Sequence, residues 1–248
     1  MRTYKTAEVA NIIGLHPNTI RLYEELKFIP KPERKVNGYR IYTDVHVEQM
    51  KLTRMALKSE VLQNGIRKQA IHIIKTSAAG NYADAILQTK EYLIKINEEM
   101  TRAEEAIVII SDILAKSNEI SETFYLTRKQ TADYLKITID TLRNWEMNGL
   151  LKVKRKDNGY RIYNEDDVRR LKIISTLRCA NYSLTAILRM LNDLSESSNA
   201  DLKKSIDMPK ETEYLVSVCD RLLTSLKNTE QDAKQMLRQL RYMKSEFK

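Results

Sequence analysis

The sequence predicts a mainly α-helical protein that is built from a duplicated unit. The hexapeptide Asn-Gly-Tyr-Arg-Ile-Tyr at residues 37–42 recurs letter for letter at residues 158–163. Two short amphipathic helices are predicted before each copy, and a long helix with a repeating three- and four-residue apolar spacing is predicted after each copy. Since internal repeats define the architecture of a chain, we expect two copies of one structural unit.

The composition indicates an acidic binding partner. The chain has 248 residues, of which 42% are hydrophobic, and a formal net charge of +9. This length allows one or two domains, and the positive charge is typical of proteins that bind nucleic acid or an anionic membrane surface. Residues 1–78 hold 14 Lys and Arg against 7 Asp and Glu, whereas residues 79–120 hold 4 against 8. We therefore expect a localised basic face.

Several protein classes are disfavoured. No apolar run approaches the roughly 18 residues of a membrane helix, and the N-terminus lacks the apolar core of a signal peptide. Cys179 and Cys219 have no paired spacing, which favours a reduced cytoplasm and buried cysteines over a disulfide or a metal site. His16, His46 and His72 share no ligand spacing, and no nucleophile–base arrangement occurs. We expect a cytoplasmic protein that is not an enzyme and has no catalytic residue, cofactor or metal.

The first unit begins with a predicted helix-turn-helix. A helix over residues 6–13 can be capped by Thr6 and ended by Gly14. Its apolar stripe consists of Val9, Ile12 and Ile13. A second helix over residues 16–26, the recognition helix, has Pro17 in its first turn, where proline is tolerated. The side chains on the face opposite its apolar stripe are those of Asn18, Thr19, Arg21 and Leu22.

A β-hairpin is predicted after the recognition helix. Pro30 and Pro32 exclude a helix, and Asn37-Gly38 predicts a turn because both residue types tolerate a positive φ. A hairpin directly after a helix-turn-helix is a wing, and the hexapeptide would form its tip and outer strand. The basic side chains of this wing are Lys31, Arg34, Lys35 and Arg40.

Long helices follow each wing. After helices over residues 44–57 and 62–75, a helix over residues 81–117 has the apolar spacing of a coiled coil, with Leu93, Ile96, Met100, Ala103, Ile107, Ile110 and Leu114. The polar segment 194–209 is expected to be loose at its centre. A second long helix, from Lys210, repeats the spacing with Leu215, Cys219, Leu222, Leu226, Thr229, Ala233, Met236, Leu240, Met243 and Phe247.

Residues 125–178 repeat the first unit. Arg143 matches Arg21 and Trp145 matches Tyr23 at an offset of 122 positions, whereas the wing matches at an offset of 121. One residue is therefore missing between the second recognition helix and its wing. The second wing is the more basic, with Lys152, Lys154, Arg155, Lys156 and Arg161.

These motifs resemble the MerR family of bacterial transcription regulators. The segment Thr-Ile-Arg-Leu-Tyr-Glu at residues 19–24 is similar to that family's recognition helix, and so are the following Leu26, Ile29 and Pro30. The hexapeptide is similar to the family's wing, and both signatures recur in the second unit. The long helices are similar to the family's dimerisation helix. The family usually has one DNA-binding head per chain and dimerises through an antiparallel coiled coil, whereas this chain has two heads.

The resemblance divides the chain into five segments. They are a first winged helix-turn-helix domain (1–78, the first head), a first coiled-coil helix (79–117), a linker (118–124), a second such domain (125–209, the second head) and a second coiled-coil helix (210–248). The first long helix extends ~55 Å, so its end lies far from its own head. If the long helices pair antiparallel, a linker that spans ~20 Å reaches the other head. We expect an intramolecular, pseudo-twofold mimic of the family's dimer; a homodimer is the alternative.

The predicted DNA contacts lie on the recognition helices and the wings. Arg21 and Arg143 are placed to contact guanine or phosphate. At matched positions, Asn18 can pair with adenine, whereas Asp140 either accepts from cytosine or, the favoured alternative, caps its helix. The full predicted set is Asn18, Thr19, Arg21, Tyr23, Arg34, Lys35, Tyr39, Arg40, Thr141, Arg143, Asn144, Trp145, Arg155, Lys156, Tyr160 and Arg161.

The aromatic residues of this set each have two interpretations. Tyr23 and Trp145 either bond to a phosphate or fill the core. Tyr39 and Tyr160 either contact the sugar-phosphate backbone or pack under the hairpin. Phosphate contacts set affinity and salt dependence without carrying sequence information, and we expect them from Lys35, Arg40, Lys156 and Arg161.

The predicted function is that of a transcription regulator that binds double-stranded DNA sequence-specifically. Each recognition helix would enter the major groove while its wing contacts the backbone. The resemblance implies a distorted promoter and RNA polymerase as a second partner. The two different heads predict non-identical half-sites. The alternative is an architectural or DNA-segregation protein. A small-molecule effector would bind between heads and long helices, with aromatic walls from Tyr82, Tyr92, Tyr182, Tyr214 and Trp145.

Overall fold

The protein is mainly helical, with small antiparallel sheets, as the sequence predicted. The chain forms two compact units, residues 1–98 with 225–248 and residues 99–224. None of the described helices is long and apolar enough to cross a membrane. The structure, a computed structural model, describes residues 2–58, 65–115, 124–155, 159–196, 201–207 and 221–247.

The first unit contains the first head. Its elements are β1 (Thr3–Tyr4), α1 (Thr6–Ile13), α2 (Pro17–Glu25), β2 (Glu33–Arg34), β3 (Arg40–Thr43), α3 (Asp44–Lys58), α4 (Ile66–Ala78), the first half of α5 (Tyr82–Ala115) and, from Ser225 onward, the last helix of the chain, α11 (Leu222–Glu246). The helix α1 packs against α2 and α3, and α3 packs against α4. Its interior is filled by Ile20, Met50, Leu52, Ile73 and Ile74. The predicted helix-turn-helix is therefore present.

The second unit repeats this arrangement. Its elements are the rest of α5, β4 (Leu126–Thr127), α6 (Arg128–Leu135), α7 (Ile139–Met147), β5 (Ile162–Tyr163), α8 (Glu165–Cys179), α9 (Leu184–Glu196), α10 (Leu202–Asp207) and the start of α11 (Leu222–Glu246). The helix α6 packs against α7 and α8. The corresponding interior is filled by Leu142, Leu171, Ile174, Leu177 and Ile187.

The first helix begins and packs slightly differently from the prediction. Thr6 is the first residue of α1 and not its cap. The backbone N–H of Lys5 donates to Glu8 Oε2 at 2.7 Å, which stabilises this helix end. Ile12, predicted within the apolar stripe, is exposed, because a helix of eight residues buries only one narrow face here.

The hexapeptide strand is the centre of its sheet and not an outer strand. The strand β3 pairs with β2 on one side and, through Tyr42 and Tyr4, with β1 on the other. The sequence did not reveal β1 because a strand of two residues has no alternation of its own. In the second head β5 pairs with β4, and Arg155 pairs with Arg161 as an isolated bridge.

The turn of the first wing is a three-residue loop. The N–H of Lys35 donates to the carbonyl oxygen of Tyr39 at 2.8 Å, and the N–H of Gly38 donates to that of Lys35 at 2.8 Å. Gly38 has a φ of 81°, whereas Asn37 keeps a negative φ. The predicted turn is therefore present, and of the two residues only Gly38 adopts the positive φ, since such a loop needs one left-handed residue.

Both heads contain left-handed turns at the same two helix ends. The predicted end of α1 is confirmed at Gly14, with a φ of 68°, whereas α6 ends at Lys136, with a φ of 55°. After the recognition helices the two residue types are exchanged between the heads. Lys27 follows α2 with a φ of 59°, and Gly149 follows α7 with a φ of 76°. Each head therefore places one lysine in a conformation that costs a side chain with a Cβ about 1 kcal/mol or more.

A short helix, α10, lies in the later part of the polar segment 194–209, where the sequence predicted no helix. The buried guanidinium of Arg189 donates to the carbonyl oxygens of Ser205 at 2.8 Å and Ile206 at 3.0 Å, which fixes α10 to α9. The Asp207 carboxylate then accepts from N–H groups in the first turn of α11. Such polar contacts leave no apolar periodicity in the sequence.

The long helices each bury one stripe. In α11 the predicted stripe is confirmed, because the following residues are all buried: Leu222, Leu226, Thr229, Ala233, Met236, Leu240 and Met243. In α5 the stripe is rotated relative to the prediction. Its buried positions include Tyr92, Ile96, Glu99, Ala103, Ala106 and Ile110, while Leu93, Met100, Ile107 and Leu114 are half-buried.

Some expectations lie outside the described residues. They are the linker over 118–123, the loose centre over 197–200, the start of the second long helix over 210–220, and the side chains of Lys156, Asn158, Tyr214, Leu215 and Cys219.

Candidate nucleic-acid interface

Each recognition helix, α2 in the first head and α7 in the second, buries one face and exposes the other. Ile20 and Tyr23 are buried on α2, as are Leu142 and Trp145 on α7. The opposite faces expose Asn18, Arg21 and Leu22, and Asp140, Arg143 and Asn144, while Thr19 and Thr141 are half-buried. The side chains predicted to point away from the core do so.

The aromatic residues of the predicted set lie in two different environments. Tyr23 and Trp145 are buried, as in the packing alternative, and this burial raises the pKa of Tyr23. Tyr39 and Tyr160 are 71% and 72% exposed on the wings. They therefore do not pack under the hairpins, and each ring stands on the surface beside its wing turn.

The recognition helices are capped by residues that the sequence analysis did not select. His16 Nδ1 accepts from the N–H of Asn18 at 3.2 Å, and Thr138 Oγ1 accepts from the N–H of Thr141 at 3.0 Å. The favoured capping role of Asp140 is therefore wrong. Asp140 lies exposed in the first turn of α7, where the helix dipole favours a carboxylate.

The two recognition arginines differ in their neighbours. Arg21 Nη1 donates to Asn18 Oδ1 at 2.9 Å, which orients the guanidinium along the exposed face of α2. Arg143 occupies the equivalent place on α7, where Asp140 replaces Asn18. Both arginines are exposed.

A glutamate on each recognition helix binds the arginine of the hexapeptide. Arg40 Nε lies 2.5 Å from Glu24 Oε2, and Arg161 Nε lies 2.6 Å from Glu146 Oε2. The glutamate side chains are only 13% and 8% exposed, so these ion pairs are shielded from solvent. They fix each wing to its recognition helix. The identical Glu and Arg in both copies were the available sequence signal for this pairing.

The second of these clusters is the more extensive. Arg128 Nη2 lies 2.9 Å from Glu146 Oε2, and the Tyr163 hydroxyl donates to Glu146 Oε1. Burial, with this hydrogen bond, raises the pKa of Tyr163 to about 12. In the first head Glu24 has a second, longer contact, to Arg34 Nη2 at 3.7 Å.

A polar side chain in each head, buried in the first and half-buried in the second, holds the turn between recognition helix and wing. In the first head Gln49 Nε2 donates to the carbonyl oxygen of Phe28 at 3.0 Å. In the second head Arg170 Nε donates to the equivalent carbonyl oxygen, that of Leu150, at 2.7 Å. Burial lowers the pKa of Arg170. Different residues therefore satisfy the same backbone acceptor in the two heads.

The first head has a cleft with a basic rim beside its wing. Its volume is about 620 Å³, and it lies between the end of α2, the wing and the end of α4. Ile29 and Pro30 contribute apolar surface, and the cations on its rim are Lys27, Lys31, Arg34, Arg40 and Lys75. Because Arg34 and Arg40 share Glu24, the three lysines supply most of its positive charge.

The second head has a cleft of about 540 Å³ between α7, α8 and the start of α9. Trp145, Arg178 and Cys179 line it.

Cys179 is exposed, so its predicted burial is wrong. Within the part of the chain that the structure describes, no three His, Cys, Asp or Glu side chains are placed to hold a metal ion. The proposed aromatic walls Tyr82, Tyr92 and Tyr182 are buried.

Each head also contacts a long helix within its own compact unit. In the first unit Gln239 Nε2 of α11 donates to Glu48 Oε2 of α3 at 2.6 Å. In the second unit Asn181 Nδ2, in the turn after α8, donates to Glu99 Oε2 of α5 at 3.2 Å, and the Tyr182 hydroxyl donates to an α5 carbonyl oxygen at 3.4 Å. Head and long helix are thus joined by polar contacts in both units.

Comparisons with known proteins concern both heads. Residues 5–42 match the model of the MerR family regulatory protein, and residues 126–194 match the model of the MerR HTH family regulatory protein. The comparisons support a MerR regulator. Regulators of this family are non-enzymatic DNA-binding proteins, so the prediction that the chain is not an enzyme is confirmed.

Three curated relatives illustrate the extent of the similarity. The HTH-type transcriptional regulator CueR of Yersinia pestis is 46% identical over 50 residues, which are 20% of this chain and 36% of that protein. The mercuric resistance operon regulatory protein of Bacillus cereus is 27% identical over 121 residues, 48% of this chain and 91% of that protein. The HTH-type transcriptional regulator AdhR of Bacillus subtilis is 34% identical over 79 residues, 31% and 56% of the two chains.

Two of these relatives are matched over only part of their own length. The match spans about a third of the CueR protein and a little over half of the AdhR protein. No solved structure matches the chain. The comparisons therefore support a DNA-binding transcription regulator, and they concern the MerR-type heads above all.

Proposed function

We propose that the protein regulates transcription by binding double-stranded DNA sequence-specifically through two MerR-type heads on one chain. The observation that carries the proposal is the exposed face of each recognition helix beside a wing fixed to it by a Glu–Arg pair, as in Glu146 and Arg161. A helix and a hairpin held in one geometry suit the major groove and the adjacent backbone. The domain limits are those predicted from the sequence.

The exposed members of the predicted set of contact residues form two groups in this proposal. Residues on α2 and α7 contact base edges, with Arg21 and Arg143 at equivalent places. Residues on the wings, such as Lys35 and Arg155, contact phosphates. The half-sites are not identical, because the exposed faces of α2 and α7 carry different side chains.

The two long helices pair as an antiparallel coiled coil in this proposal, so that one chain resembles a dimer with pseudo-twofold symmetry. Two contacts support it. The helix α11 follows the second head in sequence, yet its Gln239 contacts Glu48 of the first head. The helix α5 follows the first head, yet its Glu99 contacts Asn181 of the second head. Light scattering should give a particle near the 28.9 kDa of one chain; twice that mass would favour the homodimer.

The proposed DNA complex is distorted. Fixed heads on a pseudo-dimer impose one separation on two half-sites, and bending DNA to fit costs on the order of 1–10 kcal/mol.

RNA polymerase is the second proposed partner, acting on the distorted promoter. An effector, if the regulator has one, would bind near the heads and long helices. Fluorescence energy transfer between the ends of a labelled operator should increase when the protein binds a site that it bends.

Selection of random duplex DNA on the purified protein tests sequence-specific binding. The expected product is an imperfect inverted repeat, because the heads differ. Recovery of perfect palindromes alone would contradict non-identical half-sites, and recovery of unselected sequences would contradict specific binding. A promoter–reporter fusion carrying the selected site then separates regulation from the architectural alternative. A regulator changes reporter output, whereas an architectural protein occupies the site without effect.

A further inference from the structure

The recognition helices differ in chemistry at one pair of exposed positions. Leu22 lies on α2 and Leu26 is the residue that follows its last turn; they are four positions apart and are 47% and 42% exposed. Asn144, on α7, and Asn148, the residue that follows the last turn of α7, occupy the equivalent positions and are likewise exposed. An apolar pair in the first head is thus replaced by an amide pair in the second, on faces that the proposed function places in the major groove.

Hydrogen bonds within the amide pair fix its orientation. Asn148 Nδ2 donates to Asn144 Oδ1 at 3.2 Å and to the carbonyl oxygen of Asn144 at 2.8 Å. With Oδ1 turned towards Asn148, the Nδ2 hydrogens of Asn144 point away from it, and Oδ1 keeps a second lone pair. Asn144 therefore offers a donor and an acceptor side by side. This arrangement matches the N7 acceptor and the N6 donor of adenine in the major groove.

The leucine pair offers the opposite chemistry. Neither Leu22 nor Leu26 has a donor or an acceptor, so contact with a polar base edge would leave that edge without a hydrogen-bond partner. The apolar feature of the major groove is the C5-methyl group of thymine. Two exposed leucines one turn apart form a surface that such a methyl group can contact.

We propose that these two pairs determine a difference in base preference between the half-sites. The half-site of the second head carries adenine where Asn144 meets the groove. The half-site of the first head carries thymine where Leu22 and Leu26 meet the groove. The inference rests on the proposed function, since it requires both recognition helices to lie in the major groove.

Exchanging the two pairs tests the inference. Random duplex DNA is selected on the wild type, on the double variant Asn144→Leu/Asn148→Leu and on the double variant Leu22→Asn/Leu26→Asn. The first variant should lose its adenine preference by about tenfold, in one half-site only. The second should acquire an adenine preference in the other half-site. Asn144→Ala should also lose the preference, without adding apolar surface.

A matched control and two outcomes make the test decisive. Ile12→Asn introduces an amide at a similarly exposed place, 50% on α1, and should leave both selected half-sites unchanged. If the wild type selects a defined site and all exchanged variants select the same site, the inference is overturned while the proposed function stands. If the wild type selects no defined sequence, both fail. Fluorescence of Trp145 confirms that the second head of each variant is folded.

Discussion

Arg161 Nε and Glu146 Oε2 lie 2.6 Å apart, and this contact connects the second wing to the second recognition helix. Arg40 and Glu24 repeat it in the first head. Arg161 and Arg40 were expected to hold phosphates, but each already has a shielded carboxylate partner within its own head. Their contact in the structure is therefore internal, and it joins the wing of each head to its recognition helix.

Replacing Glu146 by Gln should destabilise the second head by roughly 1–3 kcal/mol. The amide keeps the shape of the side chain but leaves Arg128 and Arg161 without their shared counter-charge. Urea unfolding followed by the fluorescence of Trp145, the single tryptophan, measures the change. Asp166→Asn is the control, because its ion pair with Arg169 is exposed and should contribute less than about 1 kcal/mol. Equal, small effects of both substitutions would contradict a stabilising role for the Glu146 cluster.

The stability of the second head should fall between about pH 10 and pH 12. The pKa of Tyr163 is raised to about 12 in the folded protein from 10.0 for an ordinary tyrosine. A raised folded-state pKa means that the contribution is complete below the unfolded pKa and is lost as the pH rises through the folded one. Tyr163→Phe should flatten this part of the profile, measured by Trp145 fluorescence. The exposed Tyr160→Phe should leave it unchanged.

Lys136→Gly should stabilise the second head by about 0.5–1 kcal/mol. Glycine adopts the φ of 55° at this helix end without the steric cost that lysine carries. Lys136→Ala, which retains a Cβ, is the matched control and should have little effect. Gly149→Ala, at the other left-handed turn of the head, should destabilise it by about 1 kcal/mol. The urea midpoint of the Trp145 signal tests all three, and a lower midpoint for Lys136→Gly would refute the argument.

Arg21→Ala and Arg143→Ala should each relax specificity in a different half-site. If the arginines contact guanine bidentately, each loss is worth about 1–3 kcal/mol at one base pair. Competition binding with operators mutated in one half-site at a time separates the two effects. An equal loss of affinity on every sequence would mean that the arginines contact phosphate alone.

Lys35→Ala should weaken binding to all sequences alike. Lys35 is exposed beside the turn of the first wing and is expected to contact a phosphate. Removing one phosphate contact should reduce the slope of log K against log salt concentration by about 1. Lys90→Ala, on the exposed surface of α5, should leave the slope unchanged. A change of sequence preference in the Lys35 variant would contradict this assignment.

The apolar periodicity of the sequence was sufficient to predict most helices. Val9 and Ile13 on α1, or Leu222 and Leu226 on α11, are buried where the spacing placed them. The stripe of α5 was placed less accurately, because the buried residues Glu99 and Ala106 are not strongly apolar. The helix α10 was missed because Arg189 and Asp207 hold it through polar contacts between residues that are distant in sequence.

By itself the sequence determined the duplicated unit, the positions of the recognition helices and wings, and the exposed faces that carry the predicted DNA contacts. Local spacing and turn residues suffice for these features, because they depend on neighbours within one helix or hairpin. The tertiary structure alone decided that Arg40 and Arg161 bind Glu24 and Glu146, that the hexapeptide strand is central in its sheet, and that Trp145 is buried. These outcomes depend on which side chains meet across separate elements, and no local sequence pattern encodes such contacts.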